Sequence, residues 1–180
     1  MSDSPRAPEG SAHASSGSVD DIARGKRALL RHGVATLAYR GAKAIRNADP
    51  AYATFRIGEK TRTPLEILAH LGDLLDWALS LAEGDQKWEP ATPGTWESES
   101  TRFFAALSRF DEYLASDRPL GRAPERLLQG PVADALTHVG QLVMLRRLAN
   151  TPVRSENFAA AEVVAGRVSA EQAAPKYEFD

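Results

Sequence analysis

The chain has 180 residues, a formal net charge of −2, 43% hydrophobic and 26% charged residues, and no cysteine. That length suits one domain with an ordinary core, and the near-average balance of apolar and charged residues excludes a wholly disordered chain. The charge supplies no basic field for nucleic acid, and the lack of cysteine excludes disulfides, thiolate metal sites, Fe–S clusters and a cysteine nucleophile, so any metal must be held by N and O ligands.

Residues 1–18 are rich in Ser, Ala, Pro and Gly and read as a disordered tail, without the basic start and apolar run of a signal peptide. No later stretch approaches the roughly 18 consecutive apolar residues of a membrane span, so the expectation is a cytoplasmic protein with no membrane contact. From Val19 to about Asn47 the chain is free of proline and rich in Ala, Leu and Arg, which predicts a long first helix stopped by Asp49-Pro50. Gly25, Gly33 and Gly41 weaken that helix but permit close contact, within the chain or between two copies as a homodimer. Residues 51–62 read as a linker across one end of the helices.

Thr63-Pro64-Leu65-Glu66 combines an N-cap, a proline at the first helical position and the glutamate of a capping box, and starts a second helix running to about Ala82, before Gly84. After a Pro/Gly/Trp-rich loop, a third helix is expected from Thr95 to Ser116, with Phe103, Phe104, Leu107, Phe110 and Leu114 as core at helical spacing. A short helical piece at Pro124–Gln129 precedes Gly130-Pro131, and Pro131 is expected to open the fourth helix, ending near Asn150. Asn157 is placed to cap a further short helix over 158–165, closed by Gly166, and Ser169 to cap another turn. These elements predict an all-α fold, a four-helix bundle over residues 19–156, with a C-terminal extension over 157–180 that packs on it and whose alternating Pro175–Asp180 segment is placed to tuck across a cleft with Lys176 and Glu178 as solvated flanks.

Of the four histidines, His13 lies in the tail and His32 has no second ligand one turn away, so it reads as an ordinary surface or core-edge residue. His70 falls on the border of the apolar arc of the second helix, beside Leu74 and Trp77. Asp134 and His138 are four apart on the fourth helix and share one face, with Gln141 on the same stripe. Their neighbours are largely apolar, so the pair reads either as an Asp–His hydrogen bond at the bundle edge or as two arms of a helical metal site. His70 from a facing helix would complete a three-ligand set suited to Zn, Ni, Fe(II) or Mn(II).

At these residues the sequence resembles the DinB/YfiT-like superfamily, from the first helix through the fourth. The resemblance rests on Thr-Pro-Leu-Glu-Ile-Leu-Ala-His70 and on Asp134-Ala-Leu-Thr-His138-Val-Gly-Gln, whose Gly140-Gln141 pair fixes the register. It implies an up-down-down-up four-helix bundle with a divalent metal at one end, held by His70, Asp134 and His138. Many members carry histidine where this chain has Asp134. Members include metal-dependent thiol transferases, a maleylpyruvate isomerase and hydrolases. The resemblance thus implies a metal-activated thiol or water acting on a small molecule, the thiol coming from a soluble compound such as glutathione, mycothiol or bacillithiol. A non-catalytic, metal-binding or dimerising bundle is the competing reading. Gln141, Tyr39, Arg56 and Lys60 are candidates to orient a substrate.

Overall fold

The computed structural model describes residues 14–179, with side chains from residue 19 onward. Residues 1–13, which hold His13 and most of the expected tail, lie outside the described residues. The fold is mostly helical: α1 (Ala14–Ile45), α2 (Pro64–Glu83), α3 (Trp96–Ala115), a short α4 (Pro124–Leu127) and α5 (Ala133–Leu148). Among the described residues, strand is confined to the antiparallel pair β1 (Ser155–Glu156) and β2 (Glu178–Phe179). The first helix therefore begins at Ala14 rather than Val19.

Local chemistry sets the ends of the helices. Thr63 accepts the backbone N–H of Glu66 while the Glu66 carboxylate accepts that of Thr63 at 2.6 Å, and Gly84 closes α2 at φ 88. Thr95 and Ser98 form the same reciprocal box on α3. Two arginines meet the orphan carbonyls at helix C-termini. Arg27 donates to the carbonyls of Tyr113 and Leu114 in the last turn of α3 and of Arg118 beyond it, and Arg146 to those of Ala44 in the last turn of α1 and of Arg46 and Asn47 beyond it.

The fourth helical segment differs from its expected form. It begins at Pro124, not Pro131, and α4 runs into α5 through a π-helical turn at Leu128–Val132. Pro131 lacks an N–H and would collide with the preceding turn of a regular α-helix. The widened turn takes up that mismatch without ending the helix.

Helices α1 and α2 each pack against both α3 and α5. The core between them holds Val34, Leu37, Leu71, Leu75, Phe103, Leu107, Phe110 and Leu142, all fully buried. Phe104 lies at its edge, half-buried. Of Gly25, Gly33 and Gly41, only Gly41 permits a close approach, since a Cβ there would stand 2.8 Å from the Phe103 ring. The linker after α1 contains a 3-10 turn (Pro50–Thr54) that buries Tyr52, whose hydroxyl donates to the Leu142 carbonyl at 2.6 Å.

The C-terminal extension departs most from expectation. Asn157 caps only a 3-10 turn, Phe158–Ala160, and no helix follows Ser169 among the described residues. Glu178 is not a solvated flank: it accepts from Lys43 at 2.7 Å. Lys176 does lie exposed, 3.5 Å from Glu162. The end of the chain pairs with β1 and lies over α1 and α5 on the side away from His70 and His138, so it does not cross their cleft.

Candidate metal centre

The capping box that starts α2 fixes the helical phase of His70, one turn beyond Glu66. The π-turn sets the phase of α5, so that Asp134 and His138 lie one above the other and face α2. One ligand atom from each of His70, Asp134 and His138 lies within 4.8 Å of the others. The His70 and His138 rings meet edge to face at 4.7 Å between centroids. His138 Nε2 stands 3.5 Å from Asp134 Oδ1, too long for a strong hydrogen bond.

His138 Nδ1 lies 2.8 Å from Gln141 Oε1. An amide oxygen can only accept, so Nδ1 carries the hydrogen and Nε2 is the nitrogen turned toward Asp134. Burial pulls the His70 pKa below its ordinary 6.5, helped by the Arg62 cation and by His138, against the opposing pull of Asp134 and Asp73. His70 is thus disposed to be a neutral nitrogen donor, next to a carboxylate.

The expected burial of the Asp134–His138 stripe holds for one member only. The His138 side chain is 12% exposed, but that of Asp134 is 50% exposed. Met144 and Leu148 on the same helix are also half exposed. The apolar run of α5 therefore does not compel Asp134 to find a partner, and the case for a site rests on geometry.

Two hollows of about 400 Å³ flank the three residues. One is bounded by His70, Asp134, Leu74, Trp77 and Trp88. The other, beside His138, is bounded by Ile57, Ile67, Met144 and Leu148, with Arg62 and Gln141 at its edge. Trp88 comes from the loop after α2 and meets both His70 and Trp77 edge to face, at 5.7 and 5.8 Å. Sequence reasoning left Trp88 in an unassigned loop, where no periodicity could point it at His70.

The other sequence candidates lie elsewhere. Tyr39 donates to Glu156 at 2.6 Å on another face, Arg56 pairs with Glu66 at 3.2 Å, and Lys60 is exposed. His32 is exposed on α1, as expected. Gln141 is in the site, where it orients His138.

Comparison of the chain with models of protein families, with curated proteins and with solved structures yields no match.

Proposed function

We propose that this chain is a divalent-metal-binding four-helix bundle of the DinB/YfiT type and a metal-dependent enzyme acting on a small molecule with a thiol or water nucleophile. The observation that carries the reading is the convergence of His70, Asp134 and His138 within 4.8 Å from two helices, with His138 oriented by Gln141. The packing of α1 and α2 each against α3 and α5 supports the bundle.

The donor set fits a borderline or hard divalent ion: two imidazoles and one carboxylate suit Zn, Ni, Fe(II) or Mn(II). His70 and His138 would supply neutral nitrogens, and Asp134 a compensating negative charge. Such an ion, when bound, lowers the pKa of a thiol or water so that it is a nucleophile near neutral pH. Gln141 fixes the tautomer and ring plane of His138, as hydrogen-bonded partners of metal-ligating histidines do. Trp77 and Trp88 offer an apolar wall for a substrate body on one side of the three residues, and Arg62 a cation on the other. The 50% exposure of Asp134 leaves the approach open to solvent and to a small thiol.

A second reading, a non-catalytic or dimerising metal protein, is favoured by the half-exposed Met144 and Leu148 beside the site. A second chain covering them would close the approach.

The test is metal analysis of protein purified without a metal-binding tag and incubated with each ion. Wild type is expected to hold about one equivalent, with a marked loss in Asp134→Ala and His138→Ala that remain folded. Wild-type protein that takes up none of the four ions would refute the reading. A screen of small thiols against an electrophile, beside a sedimentation measurement of mass, then separates enzyme from non-catalytic dimer.

A further inference from the structure

A third hollow of about 400 Å³ lies between α1, α5 and the C-terminal extension and shares no lining residue with the two beside His138. Its α5 residues Gly140, Val143 and Arg147 lie on the opposite side of that helix from His138 and Gln141, given about 100° per residue. Phe158 and Phe179 of the extension and Leu136, Val139 and Val143 of α5 make an apolar lining.

The charges around it are unevenly matched. Arg40, Lys43, Arg147 and Arg154 line the hollow, with Glu156 the one carboxylate among its lining residues. Lys43 is committed to Glu156 and Glu178, at 2.7 Å each, and Arg154 stands 3.7 Å from Glu178. Glu156 is fully satisfied by Lys43 and the Tyr39 hydroxyl. Arg40 and Arg147 are different: among the described residues neither has a carboxylate partner. Arg40 stacks over the Phe158 ring at 4.2 Å, and Arg147 donates to the Ser155 hydroxyl at 3.2 Å. Stacking holds a guanidinium plane in place while leaving its N–H edge free for a planar anion.

Gly140 supplies a second, independent sign. Glycine weakens a helix interior, so its presence there leaves room rather than adding stability. A Cβ on Gly140 would meet nothing within 4 Å. No packing contact requires the glycine; what its missing side chain leaves is open floor in this hollow.

We propose that this hollow is a binding site for a small amphipathic carboxylate, its apolar body on Phe158, Val143 and the Gly140 backbone and its carboxylate on Arg40 and Arg147. The volume lies within the range of ligand pockets, and the pairing of apolar walls with a few convergent cations is their usual chemistry. This site is independent of the metal reading and stands or falls separately.

The probe is 2-naphthoate, followed by its fluorescence anisotropy on the full-length protein in the presence of EDTA, with 2-naphthamide as the neutral analogue. Expected are saturable binding below roughly 1 mM and at least about tenfold weaker binding of the amide. Gly140→Leu should fill the floor and weaken naphthoate more than about tenfold while circular dichroism and thermal midpoint are kept or improved. Arg40→Met with Arg147→Met should bring naphthoate down to the amide's affinity. The proposal is overturned by absence of saturable binding, by equal binding of acid and amide, by indifference to Gly140→Leu, or by loss of binding in His138→Ala, which would place the probe at the other face.

Discussion

Two polar groups on α5 lie two turns apart and are satisfied in opposite ways. Arg146 is 5% exposed, and its guanidinium donates to four backbone carbonyls, those of Thr151, Ala44, Arg46 and Asn47, at 2.8 to 3.2 Å. It closes the C-terminal end of α1, where a cation also meets the negative end of the helix dipole. His138 makes one good hydrogen bond, to Gln141, and directs its remaining nitrogen at a carboxylate 3.5 Å away. A buried group with four of its five N–H donors used on backbone carbonyls holds the fold together. His70, Asp134 and His138 are gathered within 4.8 Å without a strong hydrogen bond between the pair on α5, and the metal reading proposed above rests on that.

The largest effect should fall on the first group. Arg146→Met would leave buried carbonyls without their donor and is expected to lower the unfolding free energy by about 3 kcal/mol, read by urea denaturation. A loss below about 1 kcal/mol would put Arg146 on the same footing as an exposed ion pair and collapse the comparison. Next, metal at about 100 times its dissociation constant should stabilise wild type by about 2.7 kcal/mol and leave His138→Ala unmoved. Metal-free His138→Ala should differ from metal-free wild type by under about 1 kcal/mol, since the imidazole it removes is only singly bonded.

Gly41→Ala sharpens the contrast by setting core overpacking against a helix-propensity gain of about 1 kcal/mol, away from the α5 groups. Its Cβ would stand 2.8 Å from Phe103 Cε1 and Cζ, in a core where the ring is fully buried. Overpacking of that kind is expected to cost about 2 kcal/mol in thermal or urea unfolding, with metal uptake unchanged. Altered uptake would mean that the α1–α3 spacing sets the position of the ligands, and that fold and site are not separable as the two α5 groups suggest.

How much of this was legible beforehand follows the range of the physics involved. The α2 start was readable because a capping box is a four-residue signal, and Thr63 with Glu66 behaves as such a signal demands; the α3 start at Thr95 was readable from the helical spacing of the apolar residues that follow it, and its own box with Ser98 emerged only in the structure. The pairing of Asp134 with His138 was likewise readable from one helical turn of spacing. Pro131 misled because proline is favoured at a first helical turn, whereas here neighbouring packing carries the chain through a π-turn. Arg146, Trp88 and Glu178 were not legible as they act: each meets partners far away in the chain, and nothing local to them encodes which carbonyl, ring or lysine arrives.

The smallest prediction tests the link between the capping signal and the site it positions. Glu66 accepts the Thr63 backbone N–H at 2.6 Å and pairs with Arg56 at 3.2 Å. The Thr63 backbone N–H, followed by the other Thr63 hydrogen bond and, more weakly, Arg56, holds its carboxyl below the ordinary value of 4.5. A carboxylate with a depressed native pKa binds fewer protons folded than unfolded, so its stabilisation is fully present above about pH 4.5 and fades as the pH falls through the lower native value. Glu66→Gln should therefore cost about 0.5 kcal/mol near neutral pH, small because the side chain is 43% exposed and screened, and the difference from wild type should shrink toward zero under acid. The glutamine can still cap through its amide oxygen, so what remains at low pH is the neutral part of the bond. A cost independent of pH would assign the effect to cap geometry rather than charge. Because Glu66 lies one turn ahead of His70, a fall in metal affinity in the same variant would show that the cap, and not α2 packing alone, holds that histidine in register.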